Sequence, residues 1–548
     1  MKRKVELFLL FCVIIAAFFL RFYKDTQIPP SLNWDEVSIG YNAYSILKTG
    51  RDEWGKFLPL HFKSYGEYKL PSQIYASIPA IAIFGLNDFG VRVTPVIYGT
   101  LTVLFLYFLA KKLFKNRWIG LISAFLLAIS PWHIQLTRAS FESSFSVFWI
   151  VLGLWFFVKG FEKPRWWVIS IIPFIVSIYT YNSARIFTPL LLPVIFIIYK
   201  KQILERKKEF LISLLLFIAL LIPLLPFVLS GEATARYKLV SITDDPGLIP
   251  RINERRGMSK LPAPLPRLIH NRVTYESYYF ARNYLAHFTP SFLFLTGAGH
   301  RQHHVQSMGE LYYFQALFLL LGIYFIFRKK EKFKWLLIAW ILTAFIPVSE
   351  TNDSIPNALR TLIAAPVYQI FTAYGIYYAF SYLRRQKVLT VGLGIAIIIL
   401  ALDQFYFYLK NYYLVYPVLY SRDWQYGNKQ AVQYIKENFD KYDLIVYTRE
   451  YGEPHMFTLF YLNYPPEKFQ NNPNLVRYET HDWVRVERFG KFYFPDLGDS
   501  DTTMKKIKEK YTGKKMLFIG TDSEINNDSN IVETINFLDG SIAFQIVD

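Results

Sequence analysis

Apolar residues in this chain come in long unbroken runs, without the period-two or three-to-four spacing of a half-buried element, and short clusters of lysine and arginine separate them. The runs are Leu7 to Leu20, then residues 90–110, 118–132, 144–158, 166–181, 184–199, 210–229, 311–327, 335–348, 360–382 and 388–409. Each is near the length that crosses a bilayer, given modest extension or local thinning, so the pattern predicts about 11 spanning helices.

The basic clusters set the topology. Lys111-Lys112 with Lys115 and Arg117, Lys159 to Arg165, Lys200 to Lys208, Arg328 to Lys334 and Arg384 to Lys387 fall on every second connection. The positive-inside rule makes these connections cytoplasmic, with the N-terminus inside and everything after 409 outside. Ile74 to Phe84 is apolar too, but it is short, flanked by Pro71 and interrupted by Pro79. Counting it as a span would invert every later loop, so a helix lying along the membrane surface is expected there. Residues 23–90 then form a first outer loop and 230–310 a large one, with 135–143 and 349–359 on the same side. Lys2-Arg3-Lys4 precedes the first run and no small-residue cleavage pattern follows it, so a retained span is expected in place of a signal peptide.

Residues 410–548 are polar and not of low complexity. Ala431, Val432 and Ile435 give 429–438 helical spacing, while Asp443 to Tyr447 and Met516 to Gly520 read as short buried strands. The expected architecture is an α-helical polytopic membrane domain over 1–409 and a small extracytoplasmic α/β domain over 410–548. No phosphate-binding glycine loop or metal-ligand spacing occurs in the latter.

Composition agrees. Hydrophobic residues make up 53% of the chain, yet the net charge is +19, which fits apolar spans joined by basic loops in a plasma (inner) membrane. The cations form no continuous stripe, so no nucleic-acid partner is expected. Cys12 is the only cysteine, which rules out an intramolecular disulfide.

Candidate chemistry concentrates in the outer loops. Asp35 and Glu36 are adjacent carboxylates shortly after the first run, and His61, Glu67 and Lys69 share their loop. His300, Arg301, His303 and His304 form the densest cationic cluster. It contains no acidic ligand, Glu310 being the nearest, so phosphate or sugar contact ranks above a metal there. No cofactor is expected, and a divalent cation is the one addition these histidines would admit. Trp34, Tyr41, Trp54 and Trp132 suit interface anchoring or stacking on a sugar.

Asn33-Trp34-Asp35-Glu36, Tyr41-Asn42-Ala43-Tyr44, Leu58-Pro59-Leu60 and Gly66-Glu67-Tyr68-Lys69-Leu70-Pro71 together resemble the first loop of polyprenol-phosphate-dependent glycosyltransferases of GT-C fold. The resemblance is to the bacterial relatives of protein O-mannosyltransferases and of the lipid A aminoarabinose transferase. It continues through Phe89-Gly90-Val91-Arg92, Ser130-Pro131-Trp132-His133 and Thr137-Arg138-Ala139-Ser140-Phe141-Glu142, and becomes diffuse after about residue 160.

The resemblance implies inverting transfer of a sugar from a polyprenyl-phosphate carrier to a lipid, glycan or protein acceptor at the outer face. It makes Asp35 the general base, with Glu36 supporting it through hydrogen bonding or like-charge proximity, and Glu142 the second acidic position. Lys69, Arg138, Arg360 and the His300–His304 cluster are the candidates for the carrier phosphate. Lys69 departs from the family's Lys-Pro pattern, since Leu70 intervenes. Two other activities fit many spans with charged outer loops: a lipid or solute transporter or flippase, and an oligosaccharide transferase using a diphosphate carrier.

Overall fold

The computed structural model describes residues 2–480, 483–525 and 530–548. Among them, six helices are long and apolar enough to cross a membrane: Arg3–Phe22, Asp88–Phe114, Glu142–Gly160, Asn182–Leu204, Lys207–Leu229 and Lys387–Leu419. Arg117–Ile129, Arg165–Ile178, Tyr313–Arg328 and Lys334–Ser349 are shorter apolar helices, and Ala365–Leu383 follows them. A helix thus lies at every apolar run, and the protein is a helical membrane protein with a sheet-containing C-terminal region.

The chain divides into two compact units that ignore its order. One comprises Met1–Arg21, Ile97–Thr137 and Glu142–Leu409; the other comprises Phe22–Val96, Arg138–Phe141 and Lys410–Asp548. The division at 409 drawn from the sequence therefore needs correction: the first loop joins the C-terminal segment in one unit.

The helical unit packs through small residues. A methyl group on Gly322 would sit 1.9 Å from the Phe371 carbonyl oxygen, and one on Gly375 would sit 1.9 Å from that of Phe318. Glycine at both places lets helices Tyr313–Arg328 and Ala365–Leu383 meet backbone to backbone, the route to tight packing where lipid removes the hydrophobic drive between helices. Buried polar groups there have partners. Gln315 donates to Gln369 at 2.6 Å, and the Trp132 indole donates to the Ala358 carbonyl at 2.8 Å.

The second unit begins with helix Trp34–Thr49, which Gly50 ends at φ 68°, a left-handed cap that suits glycine. The helix is buried nearly all round. Val37, Ile39, Tyr41 and Ile46 enter one core with Ala431, Val432, Ile445, Phe457, Phe460 and Phe489 of the C-terminal segment. Gly40 is required by that packing, because a methyl group there would meet Val91 at 2.6 Å and Phe460 at 2.7 Å.

Strands β1 (Phe62–Lys63) and β2 (Tyr68–Lys69) form an antiparallel ribbon with Phe62 opposite Lys69. Helix Pro71–Phe84 follows, with Leu70 as its extended N-cap residue. The residue that interrupts the Lys-Pro pattern is therefore the joint between strand and helix.

The C-terminal sheet has seven strands: β3 (Leu444–Tyr447), β4 (Val476–Glu479), β5 (Val484–Phe489), β6 (Phe492–Tyr493), β7 (Met516–Gly520), β8 (Ile531–Asn536) and β9 (Ile542–Val547). Their order is β4-β5-β6-β3-β7-β9-β8. β3 runs parallel to β6 and β7, and the remaining pairs are antiparallel. Helix Asn428–Asn438 buries Ala431, Val432 and Ile435, the face its spacing predicts.

Candidate functional site

Adjacent residues at the start of a helix point about 100° apart, and Asp35 and Glu36 meet different surroundings for that reason. Asn33 caps the Trp34–Thr49 helix: its side chain accepts the Glu36 N–H at 2.9 Å, and Glu36 Oε2 accepts the Asn33 N–H at 3.1 Å. This reciprocal box fixes the helix start and turns the Glu36 carboxylate inward.

Glu36 is fully buried and held bidentately by Arg92, whose Nε and Nη2 donate to its two oxygens at 3.0 Å each. The Ser140 N–H adds a fourth bond to the carboxylate at 2.9 Å. Arg92 uses its other donors on the carbonyls of Asp25 (2.6 Å), Pro29 (2.8 Å) and Ser31 (2.5 Å). Every oxygen lone pair that Glu36 could offer an acceptor hydroxyl is thereby occupied. Glu36 was expected to support Asp35 through hydrogen bonding or like-charge proximity; its carboxylate ties the first loop to the start of helix Asp88–Phe114.

Asp35 keeps an open side. Its side chain is 32% exposed, and Oδ1 takes a short ion pair from Lys69, which is only 3% exposed. The ribbon turn between β1 and β2 delivers that lysine, and its ammonium lies 5.9 Å from the centre of the Tyr65 ring. The Tyr65 hydroxyl donates to the Trp34 carbonyl at 2.8 Å, and the Trp34 N–H donates to Gln425 Oε1 at 2.8 Å. The outcome is a part-exposed carboxylate with a buried cation against it.

The remaining candidates divide. Arg138 is fully buried, donating to the carbonyls of Ile28 (2.8 Å) and Tyr23 (2.7 Å) and to the Tyr413 hydroxyl (3.2 Å), with the Tyr412 ring 5.4 Å away. Its guanidinium binds backbone, which corrects its assignment to the carrier phosphate. Arg360 lies in the helical unit, in the Ala358–Thr361 turn, and donates to Asp353 Oδ2 at 2.6 Å and to Thr351 Oγ1 at 2.9 Å. Burial opposes the charge of Asp353, but Arg360 outweighs it and holds that carboxyl below its ordinary range. Glu142 opens the long helix Glu142–Gly160, where the helix dipole favours an acid.

His300 and His303 stack with ring centres 3.7 Å apart. Burial, and then the neighbouring His300, keep His303 well below the ordinary histidine pKa. Burial lowers His304 to about 4 and pushes Glu310, 3.8 Å away, well above the carboxylate range. His303 and His304 are neutral at pH 7 by this reckoning. His303 and His304 thus drop out of the cation array expected at 300–304, in which Arg301 is exposed. Among the described residues no three His, Cys, Asp or Glu side chains are grouped to hold a metal ion.

Sequence reading missed the role of Arg92, although its motif was noted, and missed Tyr65 and Gln425 altogether. An arginine near the start of an apolar helix was the available signal, since a buried cation demands a carboxylate partner.

Residues 76–227 match the family model described as dolichyl-phosphate-mannose-protein mannosyltransferase. A 118-residue stretch is 33% identical to the dolichyl-phosphooligosaccharide-protein glycotransferase 2 of Pyrococcus furiosus; it is 21% of this chain and 15% of that protein. Among solved structures, ArnT from Cupriavidus metallidurans superposes over 100% of this chain and 98% of its own, with a TM-score of 0.54 and 11% identity. In its complex with undecaprenyl phosphate the score is 0.50 at 13% identity, over 99% of this chain and 97% of its own. The oligosaccharyltransferase AglB from Archaeoglobus fulgidus, in complex with an inhibitory peptide and a dolichol-phosphate, gives 0.50 at 16% identity, over 84% of this chain and 64% of its own. The chain has the GT-C fold of these two proteins.

Proposed function

We propose that the protein is a membrane glycosyltransferase that moves a sugar from a polyprenyl-phosphate carrier to an acceptor hydroxyl at the outer face of the membrane, with Asp35 as general base. The observation that carries this reading is the split between the two adjacent acids: Glu36 is saturated, while Asp35 is part-exposed beside the buried cation Lys69. Around it stand the family-model match over 76–227 and the fold shared with ArnT, whose complex contains undecaprenyl phosphate.

In the transfer, the acceptor oxygen attacks the anomeric carbon from the face opposite the carrier, so configuration inverts. The bond from that carbon to the phosphate oxygen breaks as the new glycosidic bond forms. The hydroxyl proton passes to Asp35, and the carrier leaves as a lipid phosphate carrying the bonding electron pair. Lys69 is the cation nearest the base and the first candidate to stabilise that charge.

The test is sugar transfer from purified lipid donors by the detergent-solubilised protein. Asp35→Asn keeps the size of the side chain but lacks useful basicity, so turnover is expected to fall by roughly 100-fold or more, with a fall in melting temperature smaller than that of Glu36→Gln because the Asp35 side chain is 32% exposed. Near-wild-type transfer by this variant overturns the assignment. A second reading, transfer of an oligosaccharide, is favoured by the named activity of the Pyrococcus relative. The mass added to the acceptor separates the two.

A further inference from the structure

The C-terminal sheet reaches back to the first loop on both sides of Asp35. On one side Gln425 accepts the Trp34 N–H at 2.8 Å and donates its own amide to the Tyr451 carbonyl at 2.5 Å. Gly452 follows at φ 115°, and a methyl group there would meet Trp34 at 2.5 Å. On the other side the Val484 N–H bonds the Tyr65 carbonyl, and the Trp483 ring lies parallel to the Tyr65 ring at 5.9 Å with an interplanar angle of 13°. Trp483 also touches Trp34, with ring centres 5.8 Å apart. Its indole N–H donates to Glu453, a buried carboxylate that His455 contacts at 3.3 Å.

We propose that Trp483, oriented by Glu453, is a positioning residue that sets the Lys69–Asp35 pair by bracing Tyr65, and that the C-terminal domain thereby completes the reaction centre. The chain of contact is short. Tyr65 lies under the Lys69 ammonium, its hydroxyl holds the Trp34 carbonyl one residue before Asp35, and Trp483 covers its ring. Tyr65 itself is 7% exposed, with the rings of Trp483, Trp34 and His455 packed against it, and of these the indole of Trp483 is the one stacked parallel to it. Without the indole, Tyr65 gains freedom about χ1 and χ2, and Lys69 loses both a fixed aromatic neighbour and its exclusion from water.

This inference rests on the assignment of Asp35 and Lys69 above, and two measurements keep the failures apart. The first reads geometry without activity. Lys69, at 3% side-chain exposure, should resist an amine-reactive acetylating reagent in the full-length protein, as read by peptide mass spectrometry. Its labelling should rise about tenfold in Trp483→Ala and remain near wild type in Trp483→Phe, whose ring still covers Tyr65. Unchanged labelling in a folded Trp483→Ala protein overturns the proposal, whatever the enzyme does. The second reads coupling during transfer. Trp483→Ala should lower kcat about tenfold with little change in donor KM, and Trp483→Phe and Glu453→Gln should fall between it and wild type.

In a Lys69→Met background the same Trp483→Ala change should have almost no further effect, because the element through which it acts is already gone. Multiplicative losses in the double variant, which a merely structural tryptophan would give, overturn the proposal. If Lys69 labelling responds as expected while no variant or wild type transfers sugar, the brace stands and the functional reading fails.

Discussion

Glu36→Gln is the perturbation that separates the two adjacent acids. The glutamine keeps the shape of the side chain but removes the charge facing Arg92, and its NH2 group must point at one of the donors that the carboxylate accepted. Arg92 then lies fully buried with three carbonyl partners and no carboxylate bonded to its guanidinium. Breaking a buried pair from one side costs about 3–5 kcal/mol, because the surviving charge stays out of water. The displaced donor, Ser140 N–H or an Arg92 N–H, adds about 1–3 kcal/mol if it finds no partner.

Expected stability loss is therefore at least about 3 kcal/mol, a shift of roughly 100-fold or more in the unfolding equilibrium. Differential scanning fluorimetry in detergent reads this as a clear fall in melting temperature, larger than that of Asp35→Asn, whose carboxylate is 32% exposed where Glu36 is fully buried. Below its transition, the folded Glu36→Gln protein should retain transfer activity. A Glu36→Gln protein as stable as wild type but inactive would refute the structural assignment and return Glu36 to the chemistry.

Other outcomes follow from the same geometry. Lys69→Met should weaken donor use by about 1.5–3 kcal/mol, the worth of a charge-assisted phosphate contact, read as donor KM and turnover in the transfer assay; unchanged values remove Lys69 from the site. For His304, held at about 4 against an ordinary 6.5, the unfolded chain takes up the proton first as pH falls. Stability from this group is therefore constant above about pH 6.5 and falls as pH approaches 4, read as a falling melting temperature over that range that His304→Gln should flatten. Glu310 has the opposite sign: its raised value costs stability as pH climbs above the ordinary carboxylate range, so Glu310→Gln should slow hydrogen exchange over residues 297–312 at pH 7. Reporter tags at Arg206 and Lys330 should be cytoplasmic and one after Asp548 external; a cytoplasmic Asp548 overturns the orientation read from the basic loops.

The helices were legible because lipid imposes a length and a composition on each span, and Leu7 to Leu20 or 210–229 needs no tertiary context to be recognised. In the C-terminal segment the all-apolar strands β3 and β7 stood out for a similar reason, both being covered on two faces. β5 did not, since Val484-Arg485-Val486-Glu487-Arg488-Phe489 carries three charges and its buried residues, Val486 and Phe489, are three apart, out of step with a strand's period of two. The site was half legible. Local motifs placed Asp35, Glu36 and Lys69 in one loop, but only the position of Arg92 decides which acid is locked and which is open. The histidine cluster misled for a related reason: burial, which no spacing reveals, makes His303 and His304 neutral.

The bond from Val484 to Tyr65 joins residues 419 positions apart, and Gln425 reaches Trp34 across 391. During synthesis the first loop is made about 400 residues before its partners. At roughly 5–20 residues per second, about 20–80 s pass between the emergence of Tyr65 and that of Val484. For that interval the membrane already holds the loop bearing Asp35 and Lys69, but the pieces that clamp it do not yet exist. A nascent chain therefore carries Asp35 and Lys69 without these clamps until residue 484 has been made, and a chain stopped between the last span and residue 483 lacks the Trp483 and Val484 contacts to Tyr65.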